Sequence, residues 1–277
     1  MLDTPSSIGW DILTEDDGIQ TKPAEVNETA VKSILSSFTI FKFKGCSGTG
    51  LAFNMSLFPF VGILIASVTF VIGLVLVLIS KNIMDLTPFG AVVILATPLV
   101  IFGFRTTNGL MKVSDRFSPE KTEGIGAAGL MVPVLFMLIT YGIYLFSGVD
   151  AMFMFVPALE IAVTLCVLTA VYFSSKSRDE RFTSGSDSSK MITALIISVI
   201  SAVAFSGLAM IIEDALDLQT MAIIVCMLVA AIGIGVLMAK ISDRRFDGLD
   251  EYVFFSIFDV SRPILAIIFM LLLTLVE

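Results

Sequence analysis

The sequence contains no histidine, and it has only three cysteines, which lie far apart at Cys46, Cys166 and Cys226. Without histidine, the chain cannot hold His-ligated zinc, use a histidine general base or activate a nucleophile through histidine. Two of the cysteines fall within apolar runs, so a small secreted domain built on disulfides is also excluded. The sequence therefore excludes proteins that depend on histidine for zinc binding or catalysis, and small secreted domains built on disulfides.

Charged residues are scarce as well, at 15% of the 277 residues, whereas 56% are hydrophobic. The mean hydropathy is +0.97, and a soluble domain is only about 45–50% apolar. The formal net charge of −8 does not favour nucleic acid as a partner, because binding a polyanion needs clustered excess cation. The composition therefore predicts an integral membrane protein whose main partner is the lipid bilayer.

Seven apolar runs are long enough to cross that bilayer, which takes about 20 mostly apolar residues per helix. The runs cover residues 57–80, 88–104, 127–146, 151–173, 191–212, 221–238 and 254–276. We therefore predict an all-α integral membrane fold with about seven transmembrane helices.

The basic residues are confined to one set of loops. Fifteen of the 17 lie before the first span or in the loops that follow the second, fourth and sixth spans. Short loops rich in Lys and Arg stay on the cytoplasmic side of a membrane. The pattern predicts a multi-pass protein of the cell (cytoplasmic) membrane, with a cytoplasmic N-terminus and an outside C-terminus.

Residues 1–30 contain seven acids and one lysine but few apolar residues, which predicts a flexible acidic tail. The multispanning domain is expected over residues 31–277. It opens with a segment, 31–43, whose apolar residues recur at helical spacing. That segment is typical either of a helix lying in the membrane interface or of a helix packed on the bundle.

Three ionisable residues lie inside the predicted spans: Glu160, Asp259 and Arg262. A charge near the bilayer centre costs about 2.5–3.5 kcal/mol, so such residues are candidates for function. Asp259 and Arg262 are three residues apart, share a helix face and are expected to neutralise each other. Glu160 has no partner nearby in sequence and would be protonated, face a cavity or pair with a cation on another helix. A secondary transporter that uses these three residues is one open hypothesis.

Polar residues also collect in three loops on the predicted cytoplasmic side, at residues 105–126, 174–190 and 240–252. The first reads RTTNGLMKVSDRFSPEKTEGIG and mixes acids with four cations. The second reads SSKSRDERFTSGSDSSK, and its serines and paired charges are compatible with a phosphate-bearing ligand or with a solvated linker. The third combines four acids with two arginines.

The order of these features, from about Ser33 to the C-terminus, resembles the cobalamin synthase family, the adenosylcobinamide-GDP ribazoletransferases. SILSSFTIFKFKG followed by LFPFVGILIA resembles that family's opening segment and its entry into the first span. GFRTTNGLMKVSDR falls where the family has Gly-Phe and then His-x-Asp-Gly-Leu-x-Asp-x-x-Asp-Gly. GIGAAGL follows at the place of the family's Gly-rich entry into the next span, and residues 177–180 match its Ala-Arg-x-Glu.

The resemblance implies a multispanning membrane enzyme that joins adenosylcobinamide-GDP to α-ribazole or its phosphate, releases GMP and uses Mg²⁺. It places Asn108, Lys112 and Asp115 at the catalytic positions, with Asn108 and Asp115 on the metal. It also implies a set of substrate-binding residues on the later loops and the last span. These are Arg178, Glu180, Asp247, Asp250, Glu251, Asp259 and Arg262.

The sequence departs from the family pattern in this acidic motif. Asn108 and Lys112 occupy the first two aspartate positions, and only Asp115 is acidic. A lysine cannot ligate magnesium, and its ammonium would occupy the place of a metal. We therefore expect weak dependence on Mg²⁺. Beside the transporter hypothesis, two hypotheses therefore stay open. The chain is a transferase, or it is a pseudoenzyme that binds a corrinoid or nucleotide. The expected protein partners are a second copy of the chain, in a homo-oligomer, or other corrinoid-pathway proteins.

Overall fold

The computed structural model describes residues 23–40, 55–83, 85–117, 125–175, 188–214 and 217–276. These residues form eight α-helices, which confirms the predicted all-α fold class. The helices are α1 Pro23–Phe38, α2 Pro59–Asn82, α3 Thr87–Ile101, α4 Arg105–Asp115, α5 Ala127–Phe173, α6 Ser188–Ile212, α7 Leu218–Arg245 and α8 Glu251–Val276.

The 47-residue α5 is bent back on itself at Gly148, which has φ 77° and ψ 164°. Glycine adopts this region freely because it has no Cβ. The two halves of α5 reach the same part of α7. Gly235 of α7 packs against Cys166 in the second half, whereas Met238 lines a cavity together with Val132 of the first half. α5 is therefore a helical hairpin, and its bend lies where the third and fourth predicted spans meet.

The number of membrane spans is approximate. Five helices are long and apolar enough to cross a membrane: α2, α5, α6, α7 and α8. α3 and α4 pass this test together, as a broken span bent by 84°, and would make a sixth. The predicted count of seven is reached when the two halves of α5 are counted separately.

The second half of α5 forms the centre of the bundle, and every residue from 155 to 171 is buried. α2 and α7 lie against it where each has a glycine. A Cβ on Gly62 would lie 2.7 Å from Thr164 Oγ1, and one on Gly235 would lie 2.5 Å from the Cys166 carbonyl oxygen. These contacts hold α2 and α7 at short distance from the central helix.

α1 is packed on the bundle, as the second of the two interpretations of residues 31–43 predicts. The Phe38 ring lies 5.4 Å from the Phe58 ring and 5.3 Å from the Phe254 ring, measured between centroids. Arg105 Nη1 donates to the Ser37 carbonyl oxygen at 2.8 Å. α1 begins at Pro23, inside the segment assigned to the acidic tail, and residues 1–22 of that tail lie outside the described residues.

Candidate functional site

Polar segments meet at one end of the helical bundle, here called the basic end. They are the segments that the sequence predicts to lie on one side of the membrane. Three contacts define the basic end. Asp115 reaches the start of α5, Arg116 pairs with Asp250 before α8, and the Ser174 hydroxyl after α5 donates to Asp243 of α7 at 2.7 Å. The predicted sharing of one end by these loops is therefore found in the fold. That this end faces the cytoplasm stays a prediction.

The opposite end has its own polar contacts, and none of the candidate residues that the structure describes lies there. Lys81 forms an ion pair with Glu213 there. Asp217 caps α7 by accepting hydrogen bonds from the backbone N–H groups of Gln219 and Thr220, at 3.0 and 2.9 Å. These hydrogen bonds hold the pKa of Asp217 below its ordinary value. The contacts order helix ends and suggest no chemistry.

Asn108, Lys112 and Asp115 lie along one face of α4, because offsets of four and three residues return to the same side of a helix. Asn108 is exposed, whereas Lys112 and Asp115 are half-buried. Gly109 packs against α8, and a Cβ there would lie 2.7 Å from the Tyr252 carbonyl oxygen. α4 therefore lies directly on α8 while the first two positions of the motif stay accessible.

Asp115 caps the N-terminus of α5. Its Oδ1 accepts a hydrogen bond from the Gly129 N–H at 2.8 Å, and its Oδ2 accepts one from the Gly126 N–H at 3.1 Å. A carboxylate is favourable there because the first N–H groups of a helix lack partners and the helix dipole is positive. A Cβ on Gly129 would lie 2.5 Å from this carboxylate. Asp115 thus positions α5 relative to α4.

The motif residues do not fit a magnesium site. Mg²⁺ needs oxygen ligands at about 2.0–2.1 Å in octahedral geometry. Lys112 has no oxygen to offer a metal, and both Asp115 oxygens already accept backbone N–H groups at the start of α5, so the Asn108 amide is the one uncommitted oxygen ligand of the three. Within the described ranges, no group of three His, Cys, Asp or Glu side chains is placed to hold a metal ion.

The acids of the loop between α7 and α8 have separate surroundings. Asp250 Oδ1 accepts the Val253 N–H at 2.8 Å and so caps α8, while its Oδ2 accepts Arg116 Nη2 at 2.7 Å. Asp247 has φ 55° and lines a small polar pocket. Glu251 lies in the first turn of α8. Asp250 is therefore a structural cap, and the three acids do not form a metal cluster.

The other two substrate-binding candidates of the loops, Arg178 and Glu180, lie outside the described residues. The structure therefore does not test their predicted contacts with a nucleotide.

Two adjacent spaces at the basic end were not foreseen from the sequence. An apolar cavity of about 550 Å³ lies between α4, α5, α7 and α8. A polar pocket of about 250 Å³ adjoins it, with Arg116, Arg245 and Asp247 on its wall, and Phe117 and Phe246 line both spaces. The dipeptide Arg-Phe occurs at 116–117, 181–182 and 245–246. Because the dipeptide alone does not mark the two copies that line these spaces, the sequence carries no specific signal for them.

The three ionisable residues inside the spans form one network. Arg262 Nε and Nη2 donate to the two carboxylate oxygens of Glu160 at 2.8 and 3.1 Å, and Nη1 donates to Asp259 Oδ1 at 3.1 Å. The expected Asp259–Arg262 pair is confirmed, and Glu160 pairs with the same cation from another helix.

The network also reaches α4, because the Thr107 hydroxyl donates to Asp259 Oδ2 at 3.2 Å. Glu160, Asp259 and Arg262 are each less than one-tenth exposed. A buried network in which the charged groups are paired favours a structural role over a transport pathway.

Comparison with known proteins gives one result. The family model of cobalamin-5-phosphate synthase matches residues 30–250. No curated protein and no solved structure matches the chain. The family match spans α2 to α7, including the motif helix α4, and covers well over half of the 277 residues. The chain therefore belongs to the cobalamin-5-phosphate synthase family, whose function lies in cobalamin biosynthesis.

Proposed function

We propose that this chain catalyses the transfer that joins adenosylcobinamide-GDP to α-ribazole or its phosphate, with release of GMP. The observation that carries the proposal is the position of α4. The segment that resembles the family's acidic motif lies within the matched range and forms an accessible helix at the basic end. Transfer forms one P–O bond to the ribazole and breaks one P–O bond to GMP, so charge develops on the departing nucleotide.

Lys112 is the residue of α4 that suits this charge. Lys112 lies one helical turn after Asn108, which is exposed and can hydrogen-bond a phosphate or sugar oxygen through its amide. Cationic groups held next to a transferred phosphoryl group stabilise charge on the leaving nucleotide. In this proposal Lys112 binds the pyrophosphate, and Asp115 keeps α4 and α5 in register.

A specific observation also favours a second function, the binding of these substrates without efficient transfer. Both oxygens of the Asp115 carboxylate accept backbone N–H groups, and a lysine stands where the family has an aspartate. A relative of this kind would hold a corrinoid or nucleotide at the membrane for other proteins of the pathway.

Purified protein in mild detergent tests the two functions together. Adenosylcobinamide-GDP and α-ribazole phosphate are supplied with Mg²⁺ or with EDTA. GMP release is measured by chromatography, and substrate binding is measured by equilibrium dialysis. The proposal predicts GMP release that falls at least tenfold in Lys112→Ala and stays unchanged in Lys81→Ala at the opposite end. Binding without GMP release would select the second function, and loss of both would refute both.

The contribution of the motif to metal binding is tested by restoring its acids. Asn108→Asp combined with Lys112→Asp places three carboxylates along α4, at offsets of four and three residues. We expect this variant to bind Mg²⁺ more tightly than the natural chain, as measured by titration calorimetry. Tight Mg²⁺ binding and full turnover by the natural chain, both abolished by Asp115→Ala, would contradict the interpretation of a partly lost metal motif.

A further inference from the structure

The apolar cavity and the polar pocket at the basic end adjoin each other and share two aromatic side chains, Phe117 and Phe246. The cavity, at about 550 Å³, is within the range of about 300–1,000 Å³ that is typical of small-molecule sites. Its wall is mostly apolar. A ligand that fills both spaces therefore needs a long apolar part and a polar end.

The cavity lies next to the lipid-facing surface of the bundle. Ile241, on its wall, is 37% exposed, and the neighbouring apolar residues Leu135 of α5 and Leu237 of α7 are each more than half exposed. In a membrane protein, exposed apolar side chains on transmembrane helices contact lipid chains. A membrane lipid that lies against the first half of α5 and α7 is therefore adjacent to the cavity.

The polar pocket offers arginine side chains to the other end of the ligand. Arg116, Arg245 and Asp247 lie on its wall, and Asp250 pairs with Arg116 beside it, so the formal charges of these four side chains balance. Arg116 is held in place by its bond to Asp250 and by the rings of Phe246 and Tyr252, each 5.8 Å from the guanidinium carbon.

Both arginines also have N–H donors that are not used within the described residues. A guanidinium has five N–H donors, and Arg116 uses one of them among the described residues. Arg245 is exposed and makes no ion pair within the described part of the chain. Both can therefore donate to phosphate oxygens.

We infer that the two spaces form one binding site for an anionic phospholipid, with an acyl chain in the apolar cavity and the phosphate on Arg116 and Arg245. Basic pockets between transmembrane helices bind anionic lipid head groups, and anionic lipids are concentrated in the cytoplasmic leaflet, where this end is predicted to lie. The inference uses neither Asn108 nor Lys112, although its polar pocket includes Asp247, which the family resemblance places among the substrate-binding residues.

Native mass spectrometry of the full chain tests the site directly. The protein is equilibrated in neutral detergent with phosphatidylglycerol and phosphatidylcholine of the same acyl chains, and bound lipid is counted. We expect preferential retention of phosphatidylglycerol. Arg245→Gln should weaken this binding about fivefold, the effect of removing one cation near an anionic lipid. Lys81→Gln removes one charge at the opposite end and should leave binding unchanged.

Two further arms test the acyl chain. Val132→Trp fills the cavity and should reduce retention of both lipids, whereas Val134→Trp, at an exposed position on the same helix, should not. Glycerol phosphate, which has the phosphate but no chain, should fail to displace phosphatidylglycerol. Equal retention of the two lipids, or an Arg245→Gln variant that binds like the natural chain, would overturn the inference. Efficient displacement by glycerol phosphate would also overturn it, and would identify a site for a soluble phosphate compound instead.

Arg245→Gln removes no hydrogen bond or ion pair within the described residues, so this variant is expected to fold even where Val132→Trp does not. Circular dichroism of each variant checks the helix content before lipid is added.

Discussion

The buried ion-pair network predicts a definite order of stability among its variants. One guanidinium, that of Arg262, lies between two carboxylates, those of Glu160 and Asp259. Replacing Arg262 with leucine leaves two buried acids without their shared cation. Replacing Glu160 with leucine leaves a cation with one carboxylate still beside it. We therefore expect Arg262→Leu to be the more destabilising change, although each variant removes one charged side chain.

The size of each effect follows from the contacts that are lost. Arg262→Leu breaks all three of the network's bonds to the guanidinium, and breaking a buried ion pair from one side costs about 3–5 kcal/mol. Glu160→Leu breaks two bonds, at 2.8 and 3.1 Å, and leaves a neutral pair. Side-chain hydrogen bonds within membrane proteins contribute about 0.6 kcal/mol each, so this loss should be about 1 kcal/mol. The variant that combines Glu160→Leu with Arg262→Leu leaves one buried carboxyl, that of Asp259, and should be more stable than Arg262→Leu alone.

Unfolding by sodium dodecyl sulfate in mild detergent micelles, followed by circular dichroism, gives the free energy differences. Lys81→Met is the control, because Lys81 is half exposed in its pair with Glu213 and exposed ion pairs contribute little. An Arg262→Leu variant within about 1 kcal/mol of the natural chain would refute the reasoning, and so would a Glu160→Leu variant less stable than Arg262→Leu. Either result would show that the network is relaxed by water or by movement of α8.

Three further predictions concern packing, topology and the N-terminus. Gly235→Ala should destabilise the chain by about 1–3 kcal/mol in the same unfolding assay, because the added Cβ would overlap α5. Gly233 lies on the same helix but faces open space, so Gly233→Ala should be neutral or slightly stabilising. Single cysteines at Asn108 and Gln219, both exposed, should react with an impermeant thiol reagent from opposite sides of the membrane, and labelling from one side would refute the topology. Removing residues 1–22 should leave the melting temperature in detergent unchanged, whereas a large loss of folded protein would show that the segment belongs to the bundle.

The sequence by itself determines the class of fold. A lipid environment offers the backbone no hydrogen-bond partners, so long apolar runs must become helices that satisfy their own polar groups. The confinement of basic residues to alternate loops likewise predicts that residues 105–126 and 240–252 share one end, as Arg116 and Asp250 do. The pairing of Asp259 with Arg262 follows from their spacing of three residues, because helical geometry alone brings such side chains together.

Tertiary structure decides the roles of single polar residues. Glu160 finds its partner 102 residues away, and no local pattern marks Arg262 as that partner rather than another cation. Asp115 has a sequence position that suggests a metal ligand, yet it caps α5, because the fold brings the first N–H groups of that helix to its carboxylate. The cavity beside Phe117 and Phe246 takes its walls from four helices. Such features depend on how helices pack, which is set by the shapes of facing side chains distant in sequence, so hydropathy and spacing do not reveal them.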